Sequence, residues 1–300
     1  MTDLANAQPR RLENLHTERG KIPVYATGVV DQPWHTYTAT DHDVWRRLYA
    51  RQRELLVGRA SEAFLQAQDA MGMTLDAIPR FDDLNAVLSA ATGWTLVGVE
   101  GLLPELDFFD HLANRRFPVT WWIRKPEQFD YIEEPDLFHD LFGHVPLLMN
   151  PVFADYLEAY GKGGVKAHGL GAAAMQNLAR LYWYTVEFGL IREHGQLRIY
   201  GSGIVSSSGE SIHSLDSDAP NRIGFDLERI MRTHYRIDTY QKTYFVIESF
   251  EQLMEATRPD FTPIYARLAD QPSLPAGSVL EGDRVFTRGT GEGWAEGGDV

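Results

Sequence analysis

Apolar residues recur at intervals of three and four over much of the chain, a spacing that predicts a mainly α-helical protein with minor short β strands. Thr40 and Asp43 resemble a capping box that opens a long amphipathic helix. We expect this helix to extend to about Gly72, with a break at Gly58 as an alternative. Further helices are predicted over residues 82–91, 104–112, 133–143, 150–161, 175–195, 226–232 and 249–256.

Extended and irregular segments separate these helices. Residues 117–124, FPVTWWIR, and 243–248, TYFVIE, are rich in aromatic and β-branched side chains and predict strands. The pattern over residues 196–210 indicates short strands and a turn. Irregular structure is expected over residues 1–39, as a loop in the glycine-rich segment 162–173, and at a frayed C terminus, 287–300.

One domain is predicted, because no internal repeat or linker interrupts the pattern. We place it at residues 21–280, between an irregular N-terminal segment, 1–20, and a glycine-rich tail, 281–300. Hydrophobic residues make up 44% of the chain, which is ample for a sizeable core. Apolar runs stay below the ~18 residues that a membrane span needs, and the N terminus has no apolar signal core, so we expect a cytoplasmic protein.

Charge and cysteine content narrow the classes of partner and of metal site. The formal net charge of −14 disfavours binding to nucleic acid, because an acidic surface repels phosphate backbones. The chain has no cysteine, which removes disulfides, thiolate metal sites and a cysteine nucleophile. Any metal must therefore be held by nitrogen and oxygen ligands.

Two histidines in the stretch HDLFGHVP are spaced five residues apart, whereas the zinc-protease motif H-E-x-x-H uses a spacing of four. In an α-helix, five residues place the second side chain roughly 140° from the first. Gly143 can adopt the left-handed conformation that ends a helix, and Pro146 cannot continue it. We therefore expect His139 on a helix and His144 on the turn that leaves it. Ordinary core or surface histidines are the alternative unless a third ligand is present.

Glu187 is a candidate for this third ligand. On a helix it shares a face with Trp183 and Tyr184, so that an ionised carboxylate there costs roughly several kcal/mol unless a cation or hydrogen bonds compensate for its burial. A salt bridge to Arg180 or Arg192 is the structural alternative.

Two imidazoles and one carboxylate are the ligand set of the 2-His-1-carboxylate facial triad, which binds non-haem Fe(II) and leaves positions open for oxygen and water. Zinc hydrolases also use two histidines and a glutamate. Their general-base glutamate inside H-E-x-x-H is missing here, and Asp140, which follows His139, imitates it only loosely. The sequence therefore favours iron.

Three long motifs resemble the pterin-dependent aromatic amino acid hydroxylases. The pattern E-P-D-x-x-H-[DE]-x-x-G-H-V-P is complete over residues 134–146, Y-W-x-T-V-E-F-G over 182–189, and Y-G-x-G-x-x-S-S-x-G-E over 200–210. The similarity extends over roughly residues 20–265. It implies the single-domain catalytic fold of this family, with minor strands in a mainly helical architecture.

The resemblance assigns roles to individual residues. The iron ligands would be His139, His144 and Glu187. The strand VTWWIR matches the segment before the iron motif, and GLLPELDFFDHL matches the pterin-binding segment. The residues assigned to the amino-acid substrate are Arg124, for its carboxylate, and Pro135, Trp183, Phe188, Gly203 and Ser206. The residues assigned to the pterin are Gly101 and Leu103, through their backbones, Phe108, by stacking, and Glu134, an acid near both pterin and iron.

The resemblance is to the short bacterial members of the family, which consist of the catalytic domain alone. It implies 4-hydroxylation of L-phenylalanine to L-tyrosine with O₂, Fe(II) and tetrahydrobiopterin or a related tetrahydropterin, as in phenylalanine catabolism, by a monomer without a membrane or nucleic-acid partner. Some animal members have threonine where this chain has Ile132, which affects the substrate-backbone contacts expected there. The alternatives are the same chemistry on L-tryptophan, a zinc-dependent hydrolase and a metal-stabilised binding module without catalysis.

Overall fold

Helices form most of the described chain, which comprises residues 11–17, 20–25 and 28–294 of a computed structural model. The α-helices are α1 (Ala39–Leu55), α2 (Glu62–Ala70), α3 (Phe81–Thr92), α4 (Glu105–Ala113), α5 (Pro151–Leu170), α6 (Ala172–Tyr182), α7 (Ser202–Val205), α8 (Ser208–Asp216), α9 (Leu227–Arg232), α10 (Phe250–Thr257) and α11 (Thr262–Leu268). None of the helices in the described ranges is long and apolar enough to cross a membrane.

The strands form three small sheets. They are β1 (Arg11–Thr17), β2 (Gly20–Tyr25), β3 (Thr95–Val99), β4 (Arg116–Thr120), β5 (Leu190–Glu193), β6 (Gln196–Ile199), β7 (Asn221–Gly224), β8 (Thr243–Ile247) and β9 (Val285–Thr287). Strands β1 and β2 are antiparallel, β3 and β4 are parallel, and the mixed five-stranded sheet has the order β6-β5-β8-β7-β9. Strand β8 is buried along its whole length at the centre of this sheet, as its apolar sequence predicts.

Corrections at the N-terminal side concern where elements begin and end. Strands β1 and β2 occupy part of the segment expected to be irregular, residues 1–39. The capping box of α1 is formed by Thr38 and Asp41, two residues before the predicted pair Thr40 and Asp43. The helix expected to reach about Gly72 is two helices, which confirms the alternative of a break at Gly58, where φ is 71°. The side chain of Ser61 caps the second helix. Strand β4 ends at Thr120, so the predicted strand 117–124 is too long.

The largest correction concerns α5, which continues through the glycine-rich segment predicted to be a loop. Its glycines lie where another chain segment approaches closely. A Cβ atom at Gly161 would lie 2.4 Å from the backbone nitrogen of Ala113, and one at Gly164 would lie 1.9 Å from the ring of Phe109. The glycines therefore allow α4 to pack directly against α5, and they do not end the helix.

The predicted helix 175–195 also has a different course. Helix α6 ends at Tyr182, a π-helical segment covers Trp183–Glu187, and the chain then enters β5. Leu190 and Ile191 pair with the buried strand β8. These apolar residues, which the sequence pattern assigned to a helix, therefore belong to the sheet. Short helices α7 and α8 replace much of the strand-and-turn structure expected over residues 196–210.

The end of the described chain is also ordered. Strand β9 pairs with β7 in the five-stranded sheet, and backbone hydrogen bonds continue from Gly289 to Trp294. The expectation of a frayed terminus over 287–300 is therefore wrong for residues 287–294, and residues 295–300 lie outside the described ranges.

Two neighbouring glycines test the packing of α4 on α5. Gly164→Ala should destabilise the protein by about 1–3 kcal/mol or more, since its Cβ would overlap the ring of Phe109. Gly163→Ala should stabilise it by about 0.5–1 kcal/mol, because Gly163 is helical and has open space around a Cβ. Urea unfolding of both variants measures the difference. Equal effects of the two substitutions would contradict the packing described here.

Candidate active site

Two π-helical segments carry the candidate metal ligands. The first covers His139–His144 and contains a hydrogen bond from the Val145 N–H to the Asp140 carbonyl at 3.3 Å. The second covers Trp183–Glu187 and contains one from the Phe188 N–H to the Trp183 carbonyl at 2.8 Å. Both bonds span five residues, the defining pattern of a π-helix, which is rare and occurs frequently at functional sites.

This geometry explains the spacing of the two histidines and corrects the sequence interpretation. The helix does not end at Gly143 in a left-handed conformation, since the π segment runs through it to His144. In a helix with i→i+5 hydrogen bonds the turn is wider than in an α-helix, so side chains five residues apart lie closer to the same face than the roughly 140° separation of an α-helix allows. Gly143 is needed for a different reason, because a Cβ there would lie 2.8 Å from the carbonyl oxygen of Ser202.

The three predicted ligands meet at one point. The Nε2 atoms of His139 and His144 are 3.0 Å apart. The carboxylate of Glu187 lies 3.6 Å from Nε2 of His139 and 3.1 Å from Nε2 of His144. His144 is buried, whereas His139 and Glu187 line a cavity of about 770 Å³. His144 and Glu187 are 43 residues apart in the sequence (187 − 144). The two π-helical segments thus supply a compact set of nitrogen and oxygen donors.

Two serines orient these ligands. The Ser206 hydroxyl donates to the Ser202 carbonyl at 2.8 Å, so its oxygen is left to accept from Nδ1 of His139 at 2.9 Å. The proton then sits on Nδ1, and the Nε2 lone pair faces the other ligands. The Ser202 hydroxyl lies 3.0 Å from Oε2 of Glu187, to which it can donate.

Charge favours the ligand forms of His139 and Glu187. Burial lowers the pKa of His139 to about 4, so the imidazole is neutral at pH 7. Burial alone would raise the pKa of Glu187, but His144, together with His139 and the Ser202 hydroxyl, outweighs this effect, and the pKa falls to about 2. Burial likewise opposes the charged form of His144, while the Glu187 carboxylate prevails and raises its pKa. A neutral imidazole and an ionised carboxylate are the forms that bind a metal cation.

Asp140 is a second carboxyl group near the histidines, within 4.8 Å of ligand atoms of His139 and His144. Its Oδ2 atom accepts a hydrogen bond from the Thr120 N–H at 2.7 Å, and burial raises its pKa to about 7. Glu187, in contrast, contacts the Nε2 atoms of both histidines and lines the cavity. The geometry therefore favours Glu187 over Asp140 as the carboxylate of the site.

The residues assigned to the amino-acid substrate share the same cavity. Its lining includes Arg124, Pro135, Trp183, Phe188, Gly203 and Ser206, together with Ile132 and Glu134. The rings of Trp183 and Phe188 lie 4.7 Å apart. A Cβ atom at Gly203 would lie 2.9 Å from the ring of Phe188 and 3.2 Å from the Glu187 carboxylate, so the absence of a side chain there keeps both groups in place.

Arg124 is buried and already holds one carboxylate. Its Nε and Nη2 atoms each donate to Asp136 at 2.9 Å, and Nη1 lies 3.5 Å from the Phe129 carbonyl. A guanidinium has five N–H groups, so this pairing leaves one N–H on each Nη atom along its outer edge. Asp136 thereby fixes the orientation of Arg124 and leaves an edge that fits a second carboxylate.

Three of the residues assigned to the pterin are not in the cavity lining. Gly101, Leu103 and Phe108 lie outside it, and the neighbouring Leu102 lines it instead. Phe108 is half-buried and packs edge to face on Tyr182, with ring centroids 5.8 Å apart. Tyr182 in turn stacks beside His144 at 6.3 Å, so Phe108 is one aromatic ring removed from a candidate ligand.

Sequence reasoning missed the residues that hold the predicted ones in place, which are Ser202, Asp136 and Gln241. Gln241 accepts a hydrogen bond from the indole N–H of Trp183 at 3.0 Å. Asp136 lies inside a quoted motif, so its position beside Pro135 was the available signal. Ser202 and Gln241 give no such signal, because their contacts join segments distant in the sequence.

Comparison with known proteins supplies the family. Residues 24–267 match the sequence profile of the biopterin-dependent aromatic amino acid hydroxylases. This chain belongs to that family. The family match and the helix-rich structure confirm the predicted catalytic fold. They also set aside the alternatives of a zinc-dependent hydrolase and a binding module without catalysis.

Individual relatives agree with this assignment. The chain is 63% identical over 271 residues to a phenylalanine-4-hydroxylase from Ralstonia nicotianae, a match that covers 90% of this chain and 86% of the relative. It is similar to the crystal structure of phenylalanine hydroxylase from Chromobacterium violaceum with iron and phenylalanine, with 59% identity, a TM-score of 0.83, and coverage of 87% and 94% of the two chains. It is also similar to the structure of the same enzyme with iron(III) and 7,8-dihydrobiopterin, with 57% identity and a TM-score of 0.84. This match covers 91% of this chain and 95% of the other.

Proposed function

We propose that this protein is a phenylalanine 4-monooxygenase, which hydroxylates L-phenylalanine to L-tyrosine with O₂, a tetrahydropterin and iron. The observation that carries the proposal is the convergence of two imidazole Nε2 atoms and one carboxylate beside a cavity that an arginine and two aromatic rings also line. A volume of about 770 Å³ lies in the range of small-molecule sites. The 63% identity to a phenylalanine-4-hydroxylase supports phenylalanine over tryptophan as the substrate.

The donor set fits iron. Two ligands that lie about 2.1 Å from a metal are about 3.0 Å apart at right angles and about 3.4 Å apart at the tetrahedral angle. The separations of 3.0 Å between the two histidine Nε2 atoms and 3.1 Å from His144 to Oε1 of Glu187 match the right angles of a facial triad, whereas the 3.6 Å from His139 to Oε2 of Glu187 is wider. A facial triad on an octahedral iron would leave three positions for oxygen and water.

The amino acid is held at two ends in this proposal. Its carboxylate binds the outer edge of Arg124, whose opposite edge is fixed by Asp136. Its ring lies against Trp183 and Phe188, near Gly203. These groups orient the ring toward the iron ligands and exclude water from it, which is the contribution of the protein to the reaction.

The pterin is proposed to bind near Glu134, with Phe108 as its stacking partner and the backbones of Gly101 and Leu103 as further contacts. Held by His139, His144 and Glu187, iron would supply the activation of O₂ with two electrons from the reduced pterin, so that one oxygen atom would be added to the aromatic ring and the other to the pterin. The protein's own part is to keep the Nδ1 proton of His139 on the Ser206 side and the Glu187 carboxylate oriented by Ser202. A monomeric state, a cytoplasmic location and the domain limits 1–20, 21–280 and 281–300 stay predictions.

The ligand assignment predicts which substitutions remove iron. His139→Ala, His144→Ala and Glu187→Ala should each fail to retain one equivalent of iron and should lose nearly all hydroxylation. Asp140→Asn is the matched control, and it should still bind one equivalent when iron is in excess, with affinity lower by at most about 10- to 100-fold. Metal analysis after removal of free iron gives the stoichiometry. Retention of iron by Glu187→Ala together with its loss from Asp140→Asn would assign the carboxylate to Asp140.

Arg124 should set the preference for a substrate carboxylate. Arg124→Ala should lower kcat/KM for phenylalanine by about 30- to 1000-fold, or roughly 2–4 kcal/mol, and Arg124→Lys should recover only part of it, since lysine cannot bind through two parallel hydrogen bonds. The substitution also leaves Asp136 buried without its partner, which lowers stability.

The ratio of kcat/KM for two substrates corrects the comparison for this loss of stability. Each variant is assayed with phenylalanine and with its amide, and the quotient of the two kcat/KM values does not depend on the fraction of folded enzyme. The wild type should strongly prefer phenylalanine, and Arg124→Ala should barely distinguish the two. An unchanged preference in Arg124→Ala would show that another residue binds the carboxylate. Iron content should be normal in Arg124→Ala and in Arg124→Lys.

Phe108→Ala should raise the KM for the pterin and leave the KM for phenylalanine unchanged. Loss of the stacking face removes about 1 kcal/mol, which corresponds to roughly fivefold. Leu106→Ala, an exposed apolar position on the same helix, is the control and should change neither constant. A rise in the phenylalanine KM alone would move Phe108 to the amino-acid side of the site.

A further inference from the structure

The C-terminal segment Gly289–Trp294 folds back against the cavity that contains His139 and Glu187. Glu292, Gly293 and Trp294 are part of the lining of this cavity. A glycine-rich terminus is expected to fray unless other segments hold it. The segment Gly289–Trp294 is held by contacts with neighbouring elements, and these elements connect the segment to the amino-acid pocket.

Backbone hydrogen bonds dock the start of the segment. The N–H groups of residues 289–291 donate to Oδ1 of Asn221 at 2.9 Å, to the Asp218 carbonyl at 2.9 Å and to the Ala219 carbonyl at 3.1 Å. A Cβ atom at Gly289 would lie 2.2 Å from the Ala219 carbonyl oxygen, so the close approach requires glycine. Three consecutive donors with protein acceptors make this a built contact between the segment and the turn before β7.

The indole ring of Trp294 fills a slot beside Gly277. A Cβ atom at Gly277 would lie 2.2 Å from the ring, and one at Gly291 would lie 3.4 Å from it. The Lys242 ammonium lies 5.9 Å from the centre of the ring, within the range of a cation–π interaction. Trp294 thus bridges the 277 turn and the end of the loop formed by residues 236–242.

Asn221 joins the C-terminal segment to that loop. Its side chain accepts from Gly289 and donates to the Gly277 carbonyl at 3.1 Å, while its backbone N–H donates to the Lys242 carbonyl at 2.9 Å. Asn221 is only 2% exposed. A buried side chain that bonds to several segments restricts their relative positions, because leaving any of its polar atoms without a partner is costly.

The loop in turn positions a wall of the amino-acid pocket. Gln241 accepts the Trp183 indole N–H at 3.0 Å and donates to the Arg236 carbonyl at 2.7 Å. Tyr235, the residue directly before the loop, stacks on Trp183 with ring centroids 4.3 Å apart. Displacement of the loop would therefore displace Trp183.

We propose that the segment Gly289–Trp294 is a structural wall of the amino-acid pocket and that Trp294 is a positioning residue, which acts on Trp183 through the 236–242 loop. The proposal rests on the proposed function, since the pocket is defined by its substrate. The chain of contacts leads to Trp183 and not to Phe108, so the effect falls on the amino acid and not on the pterin.

Two substitutions break the same contact from opposite sides. Trp294→Ala removes the ring, and Gly277→Ala places a methyl group where the ring lies. Both should raise the KM for phenylalanine by about two- to thirtyfold, with less change in kcat and with unchanged pterin KM and iron content. The double variant should be no worse than the poorer single variant, since both act on one contact. Trp294→Phe retains an aromatic ring and should stay close to the wild type.

Hydrogen exchange gives a second result that does not depend on activity. In Trp294→Ala, the peptide that contains residues 236–242 should exchange faster than in the wild type, while α5 should be unchanged. An unchanged phenylalanine KM with unchanged exchange in the loop would overturn the inference, and so would a change in the pterin KM alone. A wild type that does not hydroxylate phenylalanine would instead refute the proposed function, and the exchange result would then still decide whether the segment holds the loop.

Discussion

The i→i+5 turn that carries His139 and His144 is the constraint on which the rest of the site depends. An α-helix would point the two imidazoles in different directions, whereas the π-helical turn brings their Nε2 atoms to 3.0 Å. Such a turn is rare and gains little from its own hydrogen bonds, so tertiary packing must hold it. Phe138 and Phe142, which are fully buried and stacked at 4.9 Å, anchor it in the core. A second π segment presents Glu187 to the Nε2 atoms of both histidines.

Four functional side chains are each held by a polar partner from elsewhere in the chain. Ser206 holds His139, Ser202 holds Glu187, Asp136 holds Arg124 and Gln241 holds Trp183. A side chain fixed in this way loses little further entropy when it binds a ligand, and its orientation is set before binding. The partners lie on short helices and loops, which explains why small elements such as α7 matter to the site. The same logic extends to Asn221, which connects the C-terminal segment to the loop behind Trp183.

The sequence predicted the family, because three long motifs carry the residue types that its chemistry needs, and the family match confirms this prediction. Relatives that are phenylalanine-4-hydroxylases, one of them solved with iron and 7,8-dihydrobiopterin, support the predicted activity and cofactors. Local structure was harder to predict at glycines, because a glycine can either end a helix or allow close packing inside one. Gly93 ends α3 in the left-handed conformation, as expected, with φ of 77°. Gly161 and Gly164 look the same in the sequence but serve close packing inside α5, and only the segment opposite them decides this.

The π segments could not be predicted from the sequence for a related reason. The i→i+5 hydrogen bonds follow from contacts such as that between Gly143 and Ser202, which lie far apart in the chain. The spacing of five between the histidines pointed to an irregular helix, and its explanation as a helix end was wrong. The supporting residue Ser202 stands at a variable position of the third motif, and its role follows only from its distance to Glu187 in space.

Anomalous diffraction at the iron absorption edge, from crystals of the iron-loaded protein, tests the central claim most directly because it locates the metal without reference to activity. The account predicts one peak, about 2.1 Å from Nε2 of His139, from Nε2 of His144 and from a carboxylate oxygen of Glu187. A peak bound by Asp140 in place of Glu187, or a peak outside the cavity, would contradict it.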